Sequence, residues 1–215
     1  MRRLVVSLLV AACSITRAGA TGSALDQALQ RLQERYESTR TLTADFRQTV
    51  ESPTLAGTLE SHGTVAFEKP NHMRWDYEAP DKQLIVGDGE TLWIYQPDDH
   101  QVIKAPLGDA FRATTPITFL AGLGRLDRDF DASLERDEAD EWVLHLVPKH
   151  DAGIGALSLT VRKADATIAE ARITDPVGTT TRLTLTGERR NVALDAALFR
   201  FTPPPGVDVV KPPAY

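Results

Sequence analysis

The chain has 215 residues, of which 42% are hydrophobic and 25% charged, an ordinary composition for a folded globular domain that does not favour intrinsic disorder. Its formal net charge of −6 at pH 7 excludes the basic surface that nucleic-acid binding requires. The same charge disfavours electrostatic attachment to an anionic membrane.

The first twenty residues have the pattern of a cleaved export signal. Arg2 and Arg3 precede an apolar run from Leu4 to Ala12, and Ala18–Ala20 offer the small residues that a signal peptidase reads. The apolar run is too short to span a bilayer core of about 30 Å. We therefore expect cleavage after residue 20 and a single mature domain of residues 21–215. Cleavage removes three arginines and no acidic residue, which changes the net charge from −6 to −9.

Cys13 is the only cysteine of the chain and allows a second interpretation. Val10–Cys13 resembles a lipobox, in which Cys13 would be lipidated and become the mature N-terminus. Cleavage after Ala20 would instead leave a mature chain with no cysteine and no disulfide. A free Thr21 at the N-terminus of the exported protein, or a diacylglyceryl group on Cys13, distinguishes the two interpretations.

A first helix is predicted from Ser23 to about Thr39. Ser23 is a suitable N-cap, and Asp26 in the first turn complements the helix dipole. Apolar side chains recur at steps of three and four residues, which indicates one buried face. These are Leu25, Ala28, Leu29, Leu32 and Tyr36.

The rest of the chain alternates apolar and polar residues, as half-buried strands do. About eleven strands are predicted, around residues 42–50, 59–67, 73–77, 83–86, 91–96, 101–105, 130–134, 142–146, 157–161, 168–173 and 183–185. Asp88-Gly89 predicts a hairpin turn, and Thr115-Pro116 predicts the start of a short helix. Because helices do not alternate with the strands, a parallel α/β fold is excluded. The pattern predicts an antiparallel sandwich or barrel.

No motif for catalysis or metal binding stands out. The five histidines lack the spacing of zinc ligands, and no Gly-x-Ser-x-Gly nucleophile motif is present. The acidic run from Asp137 to Glu141 lies between two predicted strands, where solvated charge is its ordinary explanation. We therefore expect neither an enzyme nor a cofactor or metal site.

The large apolar residues on the strands allow two interpretations. By default they form a packed core. About eight strands already suffice for a barrel to enclose a small ligand, however, so a barrel of eleven needs helices, a ligand or both inside it. The pattern alone leaves both interpretations open. In the second one, the first helix and the helix after Pro116 would cover an apolar cavity. Its predicted lining residues are Leu25, Leu29, Leu32, Phe46, Leu59, Val65, Phe67, Met73, Trp75, Tyr77, Ile117 and Leu120.

Five motifs follow one another along the mature chain. They are Ala44–Gln48, Lys69–Trp75, Pro80–Asp81, Gly87–Pro97 and Phe199–Val207. Each is weak alone, but in this order and behind an export signal they resemble the LolA family of periplasmic outer-membrane lipoprotein carriers. The resemblance runs from the first helix to Val209.

This resemblance implies a mainly β fold, namely an unclosed antiparallel β-barrel whose short covering helices form a lid over an apolar cavity. It implies a monomeric periplasmic chaperone that carries lipoproteins from the inner to the outer membrane by enclosing their acyl chains. The implied partners are outer-membrane lipoproteins, an inner-membrane lipoprotein-releasing ABC transporter and an outer-membrane lipoprotein receptor. Alternatives on the same fold are a LolB-like receptor anchored through a lipidated Cys13, a carrier of another lipid, and a sensor module with no need for an apolar lining.

Lys69 departs from the family pattern. The family usually has arginine at this position, directly before Pro70, and the resemblance implies that it helps to hold the lid closed and to accept cargo. Lysine cannot make the planar, forked hydrogen bonds of arginine. We therefore expect a less firmly closed lid or a different cargo, and the alternative is an exposed lysine at a strand end.

Overall fold

The computed structural model describes residues 23–54, 57–110, 126–149 and 155–211. The helices are α1 (Ala24–Ser38), α2 (Leu107–Ala110) and α3 (Leu126–Asp129), and Ala196–Phe199 form a 3-10 turn. The strands are β1 (Thr41–Glu51), β2 (Thr58–Glu68), β3 (His72–Ala79), β4 (Gln83–Asp88), β5 (Thr91–Gln96), β6 (Gln101–Pro106), β7 (Phe130–Asp137), β8 (Glu141–Pro148), β9 (Ala156–Arg162), β10 (Ile168–Thr174), β11 (Thr180–Arg190) and β12 (Asp208–Val210).

The strands of the described residues form one continuous sheet in the order β12-β6-β5-β4-β3-β2-β1-β11-β10-β9-β8-β7. Neighbouring strands are antiparallel, except that β12 runs parallel to β6. The first and last strands of this order, β12 and β7, do not pair with each other, so the sheet remains open. The predicted unclosed antiparallel barrel is therefore confirmed, and all eleven predicted strands are found. The short strand β12 was not predicted.

The predicted first helix is also confirmed, with both of its ends. Ser23 and Asp26 form a capping box, in which the Ser23 side chain accepts from Asp26 N and the Asp26 side chain accepts from Ser23 N. Thr39 has an extended backbone and ends the helix. Within the described segments, no helix has both the length and the apolar character needed to cross a membrane. The predicted export signal with Cys13, and the predicted helix after Pro116, lie outside the described residues.

The buried apolar side chains form two clusters. The helix cluster joins α1 and α3 to β8–β10 and consists of Ala28, Leu32, Leu126, Trp142, Leu144, Leu146, Leu157, Leu159, Val161, Ala166, Ala171 and Ile173. The sheet cluster is centred on β1–β5 and consists of Ala44, Phe46, Val65, Phe67, Met73, Trp75, Ile85, Leu92, Ala105, Leu107 and Leu183. The single sheet thus carries two apolar cores side by side.

Gly63 allows three strands to pack closely in the sheet cluster. It pairs with Phe46 on β1 and with Tyr77 on β3, and the rings of these two residues meet edge to face with centroids 4.8 Å apart. Phe46 also meets Trp75 edge to face at 4.9 Å. A methyl group on Gly63 would overlap the main-chain oxygen of Asp76 and lie 3.0 Å from the Phe46 ring. The strand register therefore requires glycine at this position.

Replacing Gly63 with alanine should lower the free energy of unfolding by about 3 kcal/mol, because the overlapping atom belongs to backbone that is held in the sheet. Gly108→Ala in α2 is the matched control, since among the described residues no atom outside its own helical turn lies within 4 Å of a methyl group there. The control should be neutral or stabilising by up to about 1 kcal/mol, the helix preference of alanine over glycine. Urea denaturation measures both, and equal stability of Gly63→Ala and the wild type would contradict the register.

Candidate functional site

A cleft separates the second half of α1 from strands β1, β2 and β11. Its unfilled space is about 810 Å³ when the solvent at its open mouth is included, of which the centres of water-sized spheres can occupy about 90 Å³, and we call it the α1 cleft. Its apolar lining residues are Leu32, Leu42, Phe67, Leu126, Ile168 and Leu185. Its polar lining residues are Gln33, Arg35, Tyr36, Thr39, Arg40, Thr41, Lys69 and Glu188.

The α1 cleft lies where the two apolar clusters meet. Leu32, Leu126 and Ile168 belong to or pack against the helix cluster. The opposite wall, formed by Leu42, Phe67 and Leu185, belongs to or packs against the sheet cluster. A hydrocarbon chain placed between these walls would be removed from water on two sides, which stabilises it by about 0.8 kcal/mol for each buried methylene.

The predicted cavity residues do not all lie at this cleft. Leu32 and Phe67 line it. Leu25 and Leu29 pack, partly buried, against the helix cluster. Leu59 is 50% exposed. The sheet cluster takes up Phe46, Val65, Met73 and Trp75, all at most 3% exposed, with Tyr77 packed against it. Ile117 and Leu120 lie outside the described residues.

Four of the apolar lining residues were not among the predicted cavity residues. Leu42 alternates with Ala44 and Phe46 on β1, and Leu185 alternates with Leu183 on β11, so their position on the inner face was detectable from period-two patterning. Leu126 and Ile168 reach the cleft from distant parts of the chain. Their role depends on how β10 and α3 fold back towards α1, for which a local sequence pattern has no signal. That all the predicted cavity residues line one common cavity stays a prediction.

Lys69 connects the turn between β2 and β3 to the last turn of α1. Its Nζ lies 3.5 Å from the centre of the Tyr36 ring and donates to the main-chain oxygen of Tyr36 at 2.5 Å. Its main-chain N–H donates to Arg40 O at 2.9 Å. Burial lowers the pKa of the Lys69 ammonium, and the nearby Glu37 opposes this by raising it. Lys69 is therefore half-buried and bound to α1, and its role in gating a lid stays a prediction.

Two arginines fix the opposite side of α1. Arg31 donates to the main-chain oxygens of Lys163 and Ala164 in the β9–β10 turn. Arg35 forms an ion pair with Glu188 of β11 at 2.5 Å, and the two side chains are only 13% and 14% exposed. Because both partners are largely removed from solvent, loss of either would leave the other with only a longer ion pair, Arg35 with Asp165 at 4.0 Å or Glu188 with Arg190 at 3.9 Å.

The α1 cleft combines six apolar lining residues with eight polar ones. Apolar walls with polar groups that can orient a ligand are typical of a binding site. In the part of the chain that the structure describes, no group of three or more histidine, cysteine or acidic side chains is placed to hold a metal ion.

Comparison with known proteins gives a consistent result. The family model described as outer membrane lipoprotein carrier protein LolA matches residues 37–202. The outer-membrane lipoprotein carrier protein of Chromobacterium violaceum is 35% identical over 195 residues, which cover 90% of this chain and 92% of that protein. The protein of the same name from Leptothrix cholodnii is 33% identical, with 98% of each chain covered.

A solved structure supports the fold independently. An uncharacterized conserved protein from Thermus thermophilus superimposes with a TM-score of 0.56 at 17% identity, over 86% of this chain and 98% of that one. At this identity the likeness concerns the fold alone.

Replacing Lys69 with methionine should lower the free energy of unfolding by about 1 to 2 kcal/mol, because the cation over Tyr36 and the hydrogen bond to its carbonyl are both lost. Lys104→Met is the matched control. Lys104 also places its ammonium over an aromatic ring, 4.8 Å from the centre of Trp93, but it is exposed. Its loss should cost less than about 0.5 kcal/mol. Urea denaturation measures the difference, and an equal effect of the two substitutions would contradict the tie between Lys69 and α1.

Proposed function

The chain belongs to the LolA family of outer membrane lipoprotein carrier proteins, and from this premise we propose that it carries lipoproteins across the periplasm with their acyl chains in the α1 cleft. The family supports the cargo, and the α1 cleft supports the manner of binding. The observation that carries the proposal is the position of the cleft between two apolar clusters, with leucine and phenylalanine on its walls.

The energetics of the cargo explain why a carrier is needed. Burying one methylene stabilises by about 0.8 kcal/mol, so a triacylated lipoprotein with on the order of 40 methylenes would face roughly 30 kcal/mol of unfavourable exposure in water. A carrier must offset most of this cost. It must also release the cargo. A cleft that is open to solvent on an unclosed sheet favours this release more than a sealed cavity would.

Transfer in one direction requires partners with different affinities for the cargo. In this proposal an inner-membrane lipoprotein-releasing ABC transporter loads the protein, and an outer-membrane lipoprotein receptor unloads it. Unloading proceeds because the binding site of the receptor stabilises the acyl chains more than the α1 cleft does. The carrier itself changes no covalent bond, so it acts as a chaperone and not as an enzyme.

The proposed location is the periplasm, which the protein reaches as a monomer after removal of residues 1–20. The relatives from Chromobacterium violaceum and Leptothrix cholodnii are named as carriers. These names favour the carrier over an anchored receptor with a lipidated Cys13.

Leu42 and Leu185 offer a direct test of the cleft. Both are only partly buried, so a polar substitution tests the lining with limited damage to the core. We expect Leu42→Asn and Leu185→Asn each to weaken the uptake of a fluorescent fatty acid and of a lipoprotein by about tenfold, since a leucine contact contributes about 1.5 kcal/mol or more. Fluorescence titration of the mature protein measures the change.

Val147→Asn is the matched control, because Val147 is a strand residue that is 41% exposed and does not line the α1 cleft. It should bind both ligands as the wild type does. Undiminished uptake by both leucine variants would contradict the α1 cleft as the acyl-chain site. Thermal unfolding of each variant separates a loss of binding from a loss of fold.

A further inference from the structure

Two buried polar atoms in the α1 cleft have no hydrogen-bond partner among the described residues. They are Gln33 Oε1 and Tyr36 Oη. Residues three apart on a helix lie on the same face, so both belong to the surface that α1 presents to the cleft. Buried polar groups in native proteins are nearly always paired. Two unpaired atoms on the same face of α1 therefore point to a bound group that pairs with both.

The orientation of the Gln33 amide is set by Glu37. Gln33 Nε2 donates to Glu37 Oε1 at 2.9 Å. An ionised carboxylate only accepts hydrogen bonds, so a flipped amide would place two acceptor oxygens against each other. Gln33 Oε1 must therefore point away from Glu37, and it presents an acceptor to the buried side of the helix.

The Tyr36 hydroxyl provides a donor on the same face of α1. Lys69 holds the ring in place, with its ammonium over the ring face and hydrogen-bonded to the Tyr36 main-chain oxygen. Burial, assisted by the charge of Glu37, raises the pKa of Tyr36. The hydroxyl therefore stays protonated at neutral pH and can donate a hydrogen bond to a ligand.

We propose that Gln33 and Tyr36 recognise the acyl amide of the cargo, which is the secondary amide that joins a fatty acyl chain to an N-terminal amino group. This inference rests on the proposed function and names the chemical group by which the same cleft selects its cargo. A secondary amide has one N–H for Gln33 Oε1 and one carbonyl oxygen for the Tyr36 hydroxyl. Because these two groups point in opposite directions in a trans amide, the amide would lie between the two side chains. The two unpaired atoms match that pair of groups in number and in kind.

Other acyl linkages match the two atoms less well. An ester has a carbonyl oxygen but no N–H, so Gln33 Oε1 would stay unpaired when an ester occupies the cleft. A free amino group would be protonated and would face three cationic side chains that line the cleft, Lys69, Arg35 and Arg40, whereas the lining carboxylate of Glu188 is already paired with Arg35. The α1 cleft should therefore prefer N-acylated lipoproteins to diacyl lipids.

The test compares a synthetic triacyl lipopeptide with an analogue in which an ester replaces only the acyl amide. Wild-type protein should bind the amide about five- to tenfold more tightly, because Gln33 Oε1 accepts a hydrogen bond from the amide and stays unpaired with the ester.

Gln33→Met keeps the length of the side chain without its oxygen and should abolish this preference. Tyr36→Phe should weaken both ligands alike, because both contain the carbonyl. Tyr95→Phe, at a ring packed against Phe201 and away from the cleft, should change neither affinity.

Each result supports or overturns the inference. Equal affinity of the wild type for the two lipopeptides, or a preference that survives in Gln33→Met, would overturn it and leave the proposed function standing. Failure of the wild type to bind either lipopeptide would contradict both. The comparison of two ligands on the wild-type protein needs no variant, so it holds even where a substitution impairs folding.

Discussion

The docking of α1 at the boundary between two apolar clusters is the interaction on which the rest of the structure depends. An open sheet cannot bury its inner face by closing on itself, so another element must cover it. Ala28 and Leu32 attach α1 to the helix cluster, and Lys69 and Arg35 connect its last turns to strands of the central sheet. The helix thus covers the boundary between the clusters, and the α1 cleft is the space that remains beneath it.

Local patterns predicted the elements of this fold well. The three- and four-residue spacing of Leu25, Leu29 and Leu32 and the cap at Ser23 gave α1 with both ends, and alternation gave eleven strands. Strand β12 was not predicted, because it is only three residues long and pairs in parallel with β6, which is a contact between distant parts of the chain. Parallel pairing has no local turn signal, unlike the hairpin at Asp88-Gly89.

The site was less predictable than the fold, for a physical reason. A period-two pattern shows which side chains face inward, but it does not show whether they contact one another or line a cleft. Trp75 and Met73 face inward and are buried within the sheet cluster, whereas Leu42 and Leu185 face inward at its margin. The difference is set by the place where α1 crosses the sheet. That crossing depends on ion pairs such as Arg35 with Glu188, which lie 153 residues apart.

The polar groups of the α1 cleft complement its apolar walls. A wholly apolar cleft would bind any hydrocarbon chain, since the hydrophobic effect is not directional. Hydrogen-bonding groups buried at its wall, as in Gln33 and Tyr36, distinguish ligands by the linkage next to the chain. Lys69 contributes both to the docking of α1 and to the polar wall of the cleft, because the ammonium that attaches α1 to the sheet also positions the Tyr36 ring.

Photo-crosslinking tests the central claim most directly. A lipopeptide with a diazirine at the end of one acyl chain is bound to the mature protein, irradiated, and the modified peptides are identified by mass spectrometry. If the α1 cleft holds the chains, the modified peptides include α1 and the strand segments around Leu42 and Leu185. If the bound lipopeptide modifies neither α1 nor these segments and reacts only with β4–β6 or the turn at Ala196–Phe199, the acyl chains lie elsewhere and the account is wrong.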